Sequence, residues 1–354
     1  MASMKLHSLI RDPVFQLNLL LWMAKEQPKN EYVVKPVFFE SGFQLFYIQH
    51  PFPFPPESMS AIDSSDLSIS KHPEPELLLR RSTDQHALYF EAKAESFSPE
   101  STTARQARGH LLAVGDAFAE VFAPLESCLL CYVLPEERRD LMVECLAELT
   151  EQMTEQNLSV GETSVHGLAI ENQDLLYIWD HRFKQHSGIV EDSIAVMTGL
   201  SEDTDPSPLF LVYSVEDYPD KQNQNLHRRA MIDQIHALLV CALNALPPNT
   251  EYERSAEAVL MEMTDGVYEY IGRERQKQMR RLVRNNVFRR IADYAKDRFD
   301  DVVSLESSVL RIQFPTKIRK SSFLDWFEDF KKTTFSAEKP VHDPQSRLFD
   351  DDEE

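Results

Sequence analysis

Glycine is scarce in this chain, with 9 residues among 354. Phosphate-cradling loops need closely spaced glycines, whose missing side chains let backbone N–H groups reach the anion. No glycine-rich phosphate loop, dinucleotide fingerprint or Gly-x-Ser-x-Gly elbow is present. Cysteine is scarcer, at 4, too few for a disulfide scaffold, and Cys128 and Cys131 have no second Cys or His pair at zinc-site spacing. That usage points to a reducing cytoplasm. Long apolar runs are also lacking. The most apolar N-terminal stretch, Val14 to Ala24, is interrupted by Gln16 and Asn18 and follows Asp12-Pro13, a helix N-cap with proline at the first helical position. It reads as a surface-packed first helix, with no signal peptide and no membrane span. Positive charge is in deficit, 37 Lys and Arg against 58 Asp and Glu, and the net charge of -21 repels phosphate and argues against indiscriminate nucleic-acid binding.

What remains is a globular composition, 42% hydrophobic, long enough for two domains. A helix is expected over Asp12–Lys25, a strand over Gln44–Gln49, and a proline- and serine-rich loop or flap from Pro51 to Pro75. Strands at Glu76–Arg81 and Ala87–Ala94 come next, then a helix from Ser98-Pro99-Glu100 to about Phe122, a buried strand over Ser127–Leu134 and a helix from Glu136 to about Thr154. Further on, strands are expected at Thr163–Ile170, Leu175–Trp179, Leu209–Val215 and Val302–Phe314. Helical segments are expected at Asn223–Leu246, Ser255–Arg298 and Ser321–Lys332, while Asp180-His181 and His186 read as a polar loop. These readings divide the chain into residues 1–156, 157–335 and an acidic, mobile tail over 336–354, ending in the carboxylate run Asp350–Glu354.

Two of the short strands carry the chemistry. Glu76 heads one, while Glu91 and Lys93 lie two residues apart, on one face, in the other. Carboxylates converging from neighbouring strands suit a hard divalent cation, and a lysine at the same point suits a phosphodiester under attack. Acid-x-base triplets also arise from composition alone, as at Asp329-Phe330-Lys331. The apolar run Leu88-Tyr89-Phe90 before Glu91 marks a central strand, where a charge is rarely turned inward without a partner.

The order helix, three strands, helix, strand, with Pro75-Glu76 and Glu91-Ala92-Lys93, resembles the PD-(D/E)xK nuclease superfamily over residues 12 to 154. Gln106 stands where the RecB-like branch of that superfamily carries a glutamine. The first acid is Glu rather than Asp, and no tyrosine follows Gln106 at that branch's spacing. The resemblance implies an α/β fold with a restriction-endonuclease-like αβββαβ core, followed by a second, helix-rich α+β region. It implies a metal-dependent DNA nuclease, with Glu76, Glu91 and the backbone carbonyl of Ala92 holding Mg2+ or Mn2+. Lys93 would favour hydroxide and phosphorane charge, Gln106 would orient the nucleophile, and Glu74 or Glu40 would complete the shell. From the same likeness follow a prokaryotic, antiphage-type defence or DNA-processing complex, a partner such as an ATPase or helicase, and a possible homo-oligomer. The alternative is a non-catalytic, nuclease-like adaptor, and a third reading is an acidic inhibitor that mimics DNA.

From Arg273 to Arg290 there are eight basic residues against Glu274 alone. Met279, Val283, Val287, Ile291 and Tyr294 form an apolar stripe, and Arg273, Lys277, Arg280, Arg281 and Arg284 fall on another face. Such a face can lie along a phosphate backbone, or dock on acidic parts of a partner or of the chain itself.

Overall fold

The computed structural model describes residues 6–27, 33–201, 204, 206–213, 221–247 and 249–334, so the expected acidic tail over 336–354 lies outside the described residues. The chain forms two compact units, one of residues 1–216 with 260–281, the other of residues 217–259 with 282–354. Among the described residues no helix is long and apolar enough to cross a membrane.

The first unit is a mixed α/β structure around a seven-stranded sheet. Its strands are β1 (Gln44–Ile48), β2 (Leu77–Arg81), β3 (His86–Ala92), β4 (Ser127–Pro135), β5 (Thr163–Glu171), β6 (Asp174–Ile178) and β7 (Ser193–Met197), lying side by side in chain order. Strands β3, β4 and β5 are parallel, and the remaining neighbours antiparallel. Continuous apolar runs in β3 and β4 fit this arrangement, because helices cover both faces of a parallel centre. The sheet crosses residues 156/157, where the sequence reading divides the chain, since β5 pairs with β4 over Leu130–Pro135.

Side-chain parity sorts β3 between two layers. Ala87 and Tyr89 face a core shared with Ala104, Ala107 and Leu111 of helix α2 (Thr102–Ala113) and with Met142, Leu146 and Leu149 of helix α3 (Arg139–Glu155). Phe90 points the other way, against Phe38 at 5.3 Å between ring centroids. Helix α1 (Pro13–Met23), capped by the Asp12 side chain on the Val14 N–H, is not surface-packed as its polar residues suggest, because Gln16 and Asn18 are fully buried. Both are hydrogen-bonded: the Gln16 amide donates to the carbonyls of Ile10 and Lys93, and the Asn18 amide donates to the carbonyls of Val14 and Val212 while its oxygen accepts from the Leu211 and Val212 N–H groups.

Elsewhere local signals were overridden. The expected loop 51–75 contains a helix, Pro56–Ser64, started by proline at its first turn and anchored by buried Ile62. The helix expected to reach Phe122 stops at Ala113 and resumes over Ala117–Val121; Gly115 lies at the break, where a Cβ would meet the Ser159 carbonyl oxygen at 3.0 Å. Leu209–Tyr213 forms no strand, Asn18 having taken the backbone groups that a neighbouring strand would have satisfied, and residues 214–215 are outside the described set. Ser193–Met197 pairs instead as β7. His181–Ser187 is a short helix rather than a loop, with Asp180 as its N-cap.

The second unit holds a helix over Lys221–Ala245, another over Lys317–Thr334, and a three-stranded antiparallel sheet of β8 (Glu251–Ser255), β9 (Val303–Glu306) and β10 (Val309–Gln313). The single strand expected over Val302–Phe314 is thus a hairpin, turning where Ser307 takes a positive φ of 57°. The helical region expected over Ser255–Arg298 is interrupted at Thr264–Gly272, so that helix α4 (Arg273–Val283) starts afresh.

Candidate active site

The fold brings Glu76, Glu91, Lys93 and Gln106 to one cleft of about 290 Å3 in the first unit, lined also by Gln49, Ser70, His72, Glu74, His110 and Arg275. Glu91 is the last but one residue of β3 and shares the face of Tyr89, looking toward α2. Lys93 follows the strand end and keeps its register, its N–H donating to the Val133 carbonyl at 2.8 Å and its own carbonyl accepting from Gln16 at 2.9 Å. Glu76 directly precedes β2, its N–H donating to the Phe90 carbonyl at 3.1 Å. Gln49, beyond the end of β1 and at a positive φ of 47°, donates its side-chain amide to Glu76 Oε2 at 2.7 Å. A non-glycine residue in that region is uncommon and marks a position that the surroundings enforce.

Glu91 is only 2% exposed. Its Oε2 accepts from Lys93 Nζ at 3.0 Å, whereas its buried Oε1 has no hydrogen-bond partner. His110 Nε2 stands 3.4 Å from that oxygen, too far for a good hydrogen bond, and His110 Nδ1 shares a 2.7 Å hydrogen bond with the Tyr89 hydroxyl. Burial, with a smaller push from Lys93, holds the His110 imidazole well below its usual range, so it is neutral near pH 7. Burial also raises both carboxylates: for Glu91 it outweighs Lys93 and the backbone N–H of Glu76, and for Glu76 it is joined by repulsion from Glu91 and opposed by Lys93, Gln49 and Arg275. On Lys93 burial acts to lower the ammonium, but Glu91 and Glu76 together hold it above its ordinary value.

The cleft therefore concentrates carboxylate charge that lacks solvent, with one oxygen unsatisfied, and such a site is relieved by a cation. The donor set fits a hard divalent ion that keeps several waters, as Mg2+ does when bound by one or two carboxylates. A complete ligand shell is not preassembled: among the described residues no three His, Cys, Asp or Glu side chains form a cluster able to hold a metal. Glu76 is held by Gln49 and Glu91 by Lys93. Glu74 lines the cleft, 4.0 Å from Arg275, whereas Glu40 does not line it.

The basic face is sorted differently from its sequence reading. Arg273, Lys277 and Arg281 are exposed, while Arg280 donates to the Tyr268 hydroxyl at 2.8 Å. Arg284 belongs to the second unit, with its Nε buried. Met279, Val283, Val287 and Ile291 are buried as a stripe, but Tyr294 is 59% exposed. Arg275 instead reaches the carboxylate cleft. Gly272 makes this possible: its N–H donates to the Ile48 carbonyl at 2.9 Å, and a Cβ there would meet the Gln49 carbonyl oxygen at 2.2 Å. A second cleft of about 410 Å3, bordered by His50, Arg273 and Gln278, shares Gln49, Glu74 and Arg275 with the first.

Sequence reasoning missed His110, Arg275 and Gln49. His110 has a faint signal, lying four residues after Gln106 and directly before Leu111 on the apolar face of α2, whereas nothing local points to Arg275, nearly two hundred positions from Glu91. Comparisons with protein-family models, curated proteins and solved structures return no match.

Proposed function

We propose that this protein is a metal-dependent DNA nuclease, or the nuclease subunit of a prokaryotic DNA-processing or defence complex, with a restriction-endonuclease-like core of the PD-(D/E)xK kind in its first unit. The observation that carries this reading is the meeting of Glu76, Glu91, Lys93 and Gln106 in one cleft, because metal-assisted phosphodiester hydrolysis needs carboxylates, a cation and a water-orienting group at one point. Glu76, Glu91 and the Ala92 carbonyl would hold Mg2+ or Mn2+. When bound, such an ion supplies Lewis acidity to the phosphate and lowers the pKa of a water ligand. Lys93, kept protonated by its carboxylate neighbours, stabilises charge growing on the phosphoryl oxygens, and Gln106, exposed at the cleft edge, orients the attacking water. Arg275 and exposed Arg273, Lys277 and Arg281 provide positive charge for the phosphate backbone, which an acidic chain needs at its substrate track. A reducing cytoplasm suits the free cysteines, and an ATPase or helicase suits the superfamily context.

A second reading, a nuclease-like adaptor without catalysis, draws on the absence of a preassembled three-ligand cluster among the described residues. One experiment separates the two. With Mg2+ or Mn2+ the purified protein should cut DNA, Lys93→Ala should abolish cutting, and chelation should do the same. No cutting by the parent with either ion supports the adaptor, and cutting that persists in Lys93→Ala rejects the assignment of this cleft.

A further inference from the structure

Glu91 Oε1 and His110 Nε2 face one another across 3.4 Å, and that buried carboxylate oxygen makes no hydrogen bond. An imidazole N–H aimed at a buried carboxylate would be expected to close to a normal bond of about 2.8 Å. The unmade bond instead suits an Nε2 lone pair facing the oxygen, with Nδ1–H donating to the Tyr89 hydroxyl. Such an outer partner is what fixes the tautomer of a metal-bound histidine. The spacing lets one ion bridge the pair. With metal–ligand bonds of about 2.1 Å, atoms 3.4 Å apart subtend about 108°, wider than the 90° between octahedral neighbours, which the two atoms would reach by closing about 0.4 Å. Both side chains line the cleft, and the other carboxylate oxygen, Oε2, is already taken by Lys93.

We propose that His110 Nε2 is a direct metal ligand paired with Glu91 Oε1, so that the cleft takes a first-row transition-metal dication such as Mn2+ in preference to Mg2+. This deepens the nuclease reading by naming its metal, and rests on that reading only for the metal's use. Imidazole nitrogen is a softer donor than water or carboxylate oxygen, and it adds more to the affinity of a transition metal than to that of Mg2+. Glu76 joins the shell when its hydrogen bond to Gln49 is released, and Tyr89 is a positioning residue that aims the ring.

The test is Mn2+ and Mg2+ binding by calorimetry to the full chain, with pulsed electron paramagnetic resonance of the Mn2+-loaded protein. Unsubstituted protein should show a directly bonded nitrogen, whose signal changes on 15N-histidine labelling. His110→Ala should lose that signal and at least about tenfold in Mn2+ affinity, with Mg2+ affinity changed less than about threefold, and Tyr89→Phe should lose Mn2+ affinity while keeping the nitrogen. Bound Mn2+ without nitrogen coupling, equal affinities of the parent for the two ions, or no binding of either overturns the proposal. The spectrum of the unsubstituted protein decides the ligand even if a variant fails to fold. DNA cutting without nitrogen coupling removes this inference and keeps the nuclease; nitrogen coupling without cutting does the reverse.

Discussion

Glu91 and Glu76 hold charge where it is poorly solvated, and the stability of the metal-free protein should register this. Their pKa values lie above the ordinary carboxylate value of about 4.5, burial being the main cause in each. Between that value and their raised ones the folded state binds more protons than the unfolded state, so stability falls as pH rises through the window. Their contribution is favourable at low pH and is lost above the raised values. Thermal melts without metal should therefore show Glu76→Gln gaining stability on the parent as pH rises from 5 to 8, with no such gain if the two carboxylates were solvated. The variant keeps an oxygen for the Gln49 amide while removing repulsion from Glu91. A site tuned for a ligand at the expense of stability gives this pattern.

Elements position those residues, and some of that positioning was legible in the chain. The alternation in β3 put Glu91 and Lys93 on one face, and the apolar runs of β3 and β4 read as a covered centre. Other features come from non-local partners. Asn18 in α1 satisfies the backbone at Leu211 and Val212, a role that no local pattern encodes, so a polar interruption read as surface is core. Asn18→Ala leaves two N–H groups and two carbonyls without that partner and should cost about 3 kcal/mol in chemical denaturation, where a solvent-facing asparagine would cost almost nothing. Arg275 was invisible because its place depends on the chain returning to β1 through Gly272. Gly272→Ala brings a methyl against the Gln49 carbonyl and should cost about 2 kcal/mol, with weakened DNA binding as Arg275 shifts; unchanged melting and binding would show that this approach does not position Arg275.

For the whole molecule, the net charge of -21 means that the proposed phosphate binding would rest on a few local cations against a repulsive field. The logarithm of DNA affinity should fall with that of salt by about 0.9 for each phosphate neutralised. By fluorescence anisotropy in salt titrations, Arg275→Ala should reduce the slope by about one unit, whereas Arg280→Ala, whose guanidinium is engaged by Tyr268, should change it little. Equal slopes for both variants would remove Arg275 from the substrate track. The most direct measurement is single-turnover cutting of labelled DNA by the parent and by Glu91→Gln, each with saturating Mn2+ and each checked for an intact fold. The nuclease reading predicts cutting by the parent that chelation stops, and a fall of at least about a thousandfold in the variant, since one isosteric change removes both the charge and the metal's hold. Equal rates in parent and variant would contradict it.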